Sequence, residues 1–191
     1  LNVPGEELLS GKGVSYCATC DGWFFKDKEV VVVGGGDSAL EEALFLTRYA
    51  TRVTIIHRRD QFRAGVLLQN RVRQNTKVQL VLDSVVKEIQ GPDKVTAVLV
   101  ENVKTGVKSV LPTDGVFVFI GHKPNNEMYQ NQLAMDELGY IKVNMKMETS
   151  VPGVFACGEA ADPDYRQVAT SVGMGAAAAI QDAKYLEKLE K

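Results

Sequence analysis

The hydrophobic pattern changes its period several times along the chain, and each change marks off an element. Val30 to Val33 is an unbroken β-branched run, which suits a parallel strand buried on both faces. Arg52–Ile56 and Lys77–Leu82 have similar character, and helical spacing precedes them at 38–49 and 64–75. Strand and helix patterns in alternation predict a parallel sheet of α/β type. From residue 85 the pattern becomes alternating: Val85–Gln90, Val95–Glu101 and Lys108–Leu111 are divided by Gly91-Pro92-Asp93 and Lys104-Thr105-Gly106. Those turn signals predict a small antiparallel meander covering one face of the sheet.

Two apolar runs ending in glycine, Gly115–Gly121 and Gly153–Gly158, echo one another and predict buried strands in two separate nucleotide-binding sheets. A short strand is expected at 139–143, with 149–151 leading towards the second echo. Ala169–Leu189 reads as a helix whose small residues, 173–179, would let it pack closely on a flat surface. Before residue 28 the pattern is weak. Glu6–Leu9 is too short for an element, Trp23, Phe24 and Phe25 read as core or interface packing, and Lys26-Asp27-Lys28 reads as an exposed turn.

Composition adds limits. The chain has 191 residues, 45% hydrophobic and 24% charged, an ordinary globular balance with room for one large domain or two small ones. A net charge of -2 offers no electrostatic grip on nucleic acid or an anionic membrane. No apolar run approaches a membrane span of about 20 residues, and no signal-peptide pattern opens the chain. Three cysteines are too few for a secreted disulfide framework and fit a reducing, cytoplasmic compartment in which a dithiol is catalytic.

The candidate chemistry begins with Cys17-Ala18-Thr19-Cys20-Asp21. Two thiols at this spacing can alternate between dithiol and disulfide, and exchange passes through a mixed disulfide attacked by the more exposed sulfur. The alternatives are two buried thiols or half of a zinc site. Zinc would need further ligands from Cys157, His57 or His122, which form no second paired motif.

Gly34-Gly35-Gly36-Asp37-Ser38-Ala39 follows a strand and opens a helix, the context that gives a glycine fingerprint meaning. Gly34 allows the tight turn, Gly36 lets a pyrophosphate approach the backbone, and Ala39 permits close helix–strand packing. The amides at the helix start would face the phosphate oxygens. At the end of the next strand, Ile56 and His57 stand where an NAD site carries a ribose acid. Arg58, Arg59 and Arg63 follow, and guanidinium groups there grip a 2′-phosphate, so the cofactor is NADPH. The alternative is a solvated basic turn.

With these pieces in order the chain resembles the low-molecular-weight thioredoxin reductases of bacteria. The matching segments are Cys17-Ala-Thr-Cys20-Asp21-Gly22, Gly34-Gly-Gly-Asp-Ser-Ala39 with Glu41-Glu42, and His57-Arg-Arg-Asp60 with Phe62-Arg63-Ala64. Ile120-Gly121-His-Lys-Pro124, Thr149-Ser-Val-Pro-Gly-Val-Phe155 and Tyr165-Arg166-Gln167 follow in family order. The resemblance implies a Rossmann-like NADPH domain carrying the dithiol, residues 1–121, built from a parallel sheet and an antiparallel meander. Residues 122–191 would be the C-terminal part of a second, split, Rossmann-like FAD domain. Leu1 then falls near the start of the inserted domain. The first FAD half is not in the sequence, so a fragment with an incomplete FAD site is expected.

The resemblance also implies roles. Cys20 would face the flavin, Cys17 would attack the disulfide of thioredoxin, and Asp21 would serve as general acid/base. Gly34, Gly35, Gly36, Asp37, Ser38, Ala39, Glu42, His57, Arg58, Arg59, Arg63, Ile120 and Gly121 would line the NADPH side. Gly158, Glu159, Arg166, Gln167 and Val168 would contact FAD. The family usually carries Gly-Asp where this chain has Gly158-Glu159; the longer side chain still accepts a hydroxyl but displaces the contact. Domain rotation about joints near 1–4 and 121–124 and a homodimer are further family expectations. Cys157 is assigned to packing and His122 to structure. The competing readings are the flavin subunit of alkyl hydroperoxide reductase, whose active pair encloses Pro-His rather than Ala18-Thr19, and relatives using ferredoxin, which tend to lack the arginine pair. A third is an isolated nucleotide-binding module whose second part exposes apolar surface.

Overall fold

In the computed structural model residues 1–190 are described. The chain divides into two compact units, Leu1–Gly121 and a second beginning at His122.

The first unit holds a five-stranded sheet in the order β1-β8-β2-β3-β4, with all neighbours parallel. Its strands are β1 (Val14–Ser15), β2 (Glu29–Gly34), β3 (Arg52–Ile56), β4 (Val78–Val81) and β8 (Gly115–Phe119). Helices α1 (Ala18–Asp21), α2 (Asp37–Leu46) and α3 (Val66–Gln74) accompany it. Strand β2 explains the arrangement. Val30 and Val32 face a core with Leu40, Ala43 and Leu46 of α2, whereas Val31 and Val33 face Val86, Val98 and Val100 of the second sheet. A strand buried on both faces needs apolar residues at every position, which the four valines supply.

The second sheet is the predicted meander, β5 (Ser84–Gln90), β6 (Ala97–Asn102) and β7 (Lys108–Pro112), antiparallel throughout and packed over one face of the parallel sheet. Helix α2 ends at Leu46, short of the expected Tyr49, because Thr47 caps it and Ala50 closes the turn onto the Leu46 carbonyl. The lead-in contains two unforeseen elements, β1 and α1. Phe25 is buried against Phe117, with rings 5.0 Å apart. Of the two expectations, core or interface packing, the core one fails for Trp23 and Phe24, which are 62% and 70% exposed.

The second unit corrects the sequence reading more heavily. The strands expected at 139–143 and 153–158 are reduced to isolated antiparallel bridges, Met135 with Ile141 and Glu148 with Phe155. The 153–158 run ends in a short 3-10 turn, Gly158–Ala160. A buried parallel strand requires flanking strands to satisfy its backbone, and the described residues after 121 form no ladder for it. Cys157 therefore sits half-buried before that turn rather than in a strand. Polar side chains take over the bonding: Asn126 donates to the carbonyls of Gly139 and Ala160 at 3.0 and 2.9 Å.

Helix α4 (Val168–Leu189) forms as expected, but of its small residues at 173–179 only Ala178 is buried. Nothing lies within 4 Å of where a Cβ would project from Gly173 or Gly175. Val168, Val172, Ile180 and Leu186 are exposed along it. No helix among the described residues is long and apolar enough to cross a membrane.

Candidate functional site

Strand β2 delivers the glycine segment to the C-terminal edge of the parallel sheet, the edge where open α/β sheets bind ligands. A Cβ at Gly34 would collide with the Phe119 carbonyl and the Ala39 side chain. Glycine there and fully buried Ala39 together let β2, β8 and α2 converge. Gly36 is the N-cap of α2 and brings no side-chain cap, so the first amides of a ten-residue helix are available to an anion. The nearest atom to a Cβ at Gly36 would be Arg63 Nη2, at 4.0 Å. Backbone approach is open there.

The loop after β3 closes the other side. The Gly35 carbonyl accepts the amides of Arg63 and Ala64, at 2.8 and 3.3 Å, and Asp37 Oδ1 accepts the Gly65 amide at 2.8 Å. The glycine segment and the arginine loop are thereby tied into one assembly. They border a cleft of about 340 Å³ lined by Gly34, Gly35, His57, Arg58, Arg59, Arg63 and Ile120, among others. Arg58, Arg59 and Arg63 are exposed and form no ion pair among the described residues. Asp60 instead bonds Lys104 at 3.1 Å, which holds its carboxyl below the usual range.

His57 lines the cleft from beneath. It is buried at 6% exposure, and its ring fills the space a Cβ on Gly35 would need. Burial lowers its pKa; the Gln61 carbonyl, 3.2 Å from Nε2, pulls the other way, and Arg58, Arg59 and Arg63 lower it further. It therefore serves as a neutral support, not as a fourth phosphate cation beside the three arginines. Asp37, Ser38, Gly36 and Gly121 adjoin the cleft in sequence without lining it, and Glu42 lies half-buried on the middle of α2.

The dithiol occupies the same unit. Cys17 and Cys20 are joined as a disulfide, with Cα atoms 5.3 Å apart. Cys17 is half-buried and Cys20 exposed. Cys17 Sγ accepts the Cys20 amide at 3.1 Å. Ala18, fully buried, seats α1 in the core beside Ala43 and Leu46 of α2. Asp21 ends α1, and its Oδ2 accepts the hydroxyl of buried Ser15 at 2.6 Å. Among the described residues no cluster of three His, Cys, Asp or Glu side chains could hold a metal ion.

In the second unit the expected flavin residues gather at the start of α4. A Cβ on Gly158, whose φ is +67°, would lie 3.4 Å from Ser171 Oγ. Arg166 and Glu159 both act electrostatically on His122, whose pKa burial lowers first and Arg166 lowers further, against Glu159. Gln167 caps α4 in a reciprocal capping box with Thr170, and Val168 is 83% exposed.

The organiser of this turn is Asp162, which the sequence reading passed over. Its carboxylate accepts the amides of Asp164, Tyr165 and Arg166 at 3.1, 2.8 and 2.9 Å and the Thr170 hydroxyl at 3.0 Å. Burial would raise its pKa, but these donors outweigh burial and hold it below the usual value. They also keep Arg166 at a φ of +51°. The Asp162-Pro163-Asp164 run was a usable signal, since aspartate before proline often bonds the backbone ahead of it.

Comparison with known proteins gives the family. Residues 1–175 match the family model described as pyridine nucleotide-disulphide oxidoreductase. A thioredoxin reductase of Mycolicibacterium smegmatis is 50% identical over 187 residues, 97% of this chain and 60% of that protein. One from Bacillus subtilis is 48% identical over 192 residues, 100% of this chain and 61% of its own length. Among solved structures, the thioredoxin reductase of Streptococcus pyogenes superimposes with a TM-score of 0.94 at 51% identity, covering 98% of this chain and 62% of that one. The chain thus spans about 60% of the length of the curated relatives it matches. On the family match and these identities together, the chain belongs to the pyridine nucleotide-disulphide oxidoreductases.

Proposed function

We propose that the whole protein is an NADPH-dependent thioredoxin reductase, in which residues 1–121 form the NADPH and dithiol domain and residues from 122 onward contribute part of an FAD domain. The observation that carries this reading is one compact unit holding both a redox disulfide and a phosphate-accepting cleft edged by unpaired arginines. The residues fit NADPH. Amides at the start of α2 suit the pyrophosphate, and Arg58, Arg59 and Arg63 suit a 2′-phosphate. The turn at Gly158, Glu159 and Arg166–Val168 fits one side of a flavin dinucleotide. When bound, the two cofactors supply an electron pair to the disulfide.

The side chains here divide the remaining work. By resemblance to the thioredoxin reductases Cys20 takes up the electron pair and Cys17 leaves as a thiolate beside the Cys20 amide, although Cys20 is the more exposed residue of the pair and on exposure alone would be the one to attack a substrate. Cys17 attacks the disulfide of thioredoxin, and Asp21 protonates the sulfur that departs. Trp23 and Phe24, exposed directly after the pair, offer an apolar surface on which a protein substrate can dock. A cytoplasmic location and a homodimer complete the same reading.

Transfer of reducing equivalents is the test. The chain, reduced with excess dithiol and freed of it, should reduce about one equivalent of oxidised thioredoxin. The Cys17→Ser chain should reduce none. Failure of the wild-type chain to pass on its electrons would sink the proposal.

A further inference from the structure

Ser15 has no part in the reading above, yet it holds together the two groups that do. It ends β1, next to β8 at the C-terminal edge of the parallel sheet, and it is 4% exposed. Its hydroxyl donates to Asp21 Oδ2 at 2.6 Å, and its oxygen accepts the Cys17 amide at 3.1 Å. A second acceptor, the Cys17 carbonyl, lies 3.2 Å from the same oxygen. The Asp21 amide also donates to that carbonyl, at 3.1 Å. A buried serine with one proton, two acceptors in reach and one incoming amide is fully committed.

We infer that Ser15 is the positioning residue of the acid, fixing the Asp21 carboxyl beside Cys17 and adjusting to its change of charge. This inference rests on the thiol-exchange role proposed for Cys17, Cys20 and Asp21. Without Ser15 the Asp21 side chain has free rotation about two bonds and water as an alternative partner. With it, the carboxylate is tethered through one oxygen to the Cys17 backbone. When Asp21 carries a proton, the hydroxyl of Ser15 can turn to the Cys17 carbonyl. Asp21 is then released to donate its proton while the serine stays satisfied.

The exchange balances as follows. Cys17 gives its thiol proton to the Asp21 carboxylate and its sulfur attacks a substrate disulfide. The substrate S–S bond breaks as the Cys17–substrate bond forms. The electron pair leaves on the second substrate sulfur, which takes the proton back from Asp21. Cys20, losing its own proton, then attacks Cys17, restores the Cys17–Cys20 bond and expels the first substrate sulfur as a thiol. One dithiol is oxidised and one disulfide reduced, with two electrons and two protons transferred.

The acidity of the departing thiol provides the test. An aromatic disulfide releases a stable thiolate and needs no acid, whereas a dialkyl disulfide releases a basic thiolate and depends on one. The reduced chain would be mixed with 5,5′-dithiobis(2-nitrobenzoate) and, separately, with oxidised 2-hydroxyethyl disulfide. For Ser15→Ala we expect a loss of about tenfold on the dialkyl disulfide and less than about twofold on the aromatic one. Ser15→Thr should restore the rate. Asp21→Asn should lose about a hundredfold on the dialkyl disulfide, and adding Ser15→Ala to it should lose no more, since the serine acts through the aspartate.

Equal losses on both disulfides, no loss on either, or full additivity with Asp21→Asn would overturn the inference. So would a Ser15→Ala chain that no longer binds 2′,5′-ADP, because the hydroxyl would then be holding the fold. A wild-type reduced chain that attacks neither disulfide would instead bring down the exchange role itself, and this inference with it.

Discussion

The two units of this chain are built on opposite plans. In residues 1–121 the fold is apolar: two cores meet on either face of β2, and Arg58, Arg59 and Arg63 are left at the cleft. From residue 122 the fully or nearly buried apolar residues are only Tyr140, Ile141, Ala156 and Ala178 among those described. Carboxylates and amides bind the loops there, led by Asp162 and Asn126. In the first unit the buried polar residues Glu6, Ser84 and Thr113 bond backbone or the chain terminus inside an apolar frame, and Ser15 differs from them in holding the Asp21 carboxylate. In the second, buried polar residues are the architecture.

Apolar truncation should break the first unit far more than the second. Ile55→Ala, in the fully buried centre of β3, is expected to cost about 2–5 kcal/mol. Ile141→Ala should fall at the low end of that range, because fewer apolar neighbours surround it. Amide exchange at Val32 and at Ile141 reads the two losses separately, and equal effects would erase the contrast.

Polar truncation should reverse the ranking. Asp162→Ala leaves three amides and a hydroxyl without their acceptor, at a cost of about 1–3 kcal/mol, seen as faster exchange at Tyr165 and Arg166. Acid should act in the same way. The folded pKa of Asp162 lies below its ordinary 3.8, so its stabilisation is complete above 3.8 and is lost as pH falls through the lower folded value. Protection at Arg166 should therefore decline below pH 3.8 in the wild type but not in Asp162→Asn.

The smallest effect on stability belongs to Arg58→Ala combined with Arg59→Ala. Exposed and unpaired, these residues should contribute less than about 0.5 kcal/mol to folding. Affinity for 2′,5′-ADP should nevertheless fall by tenfold or more, with 5′-AMP binding unchanged. A loss of thermal stability instead would mean that the first unit also uses its surface charges for structure.

The same division explains what could be read in advance. Strands β2 to β8 were legible because burial on a sheet imposes β-branched or alternating residues, and the turns between them carry glycine, proline or asparagine. The glycine segment was legible as a strand-to-helix turn because β2, β8 and α2 can converge there only on small residues, and Arg58–Arg59 as a polar turn after β3. Strand β1 was not, since two residues, Val14 and Ser15, have no period. The Gly153–Gly158 run had the composition of a strand, but strand formation depends on neighbours rather than on composition alone. Asp162 and Ser15 were missed for one reason: a single side chain that bonds several backbone groups leaves a trace of one residue.

Helix α2 fixes the distance between the glycine segment and the disulfide segment. It starts directly after the cleft-lining Gly34 and Gly35 and its N-cap Gly36, and its second half carries the disulfide segment, with Leu46 and Phe45 packed against Gly22. One inserted residue between Ser38 and Ala43 would rotate one end against the other by about 100° and move it about 1.5 Å along the axis. The turns at 91–94 and 104–106 span no such pair of segments; the second meets the arginine loop through the exposed Lys104–Asp60 ion pair. Insertions should be accepted in those hairpins and refused in α2, even at helix positions exposed to solvent, so permissiveness to length is set by what each element spans.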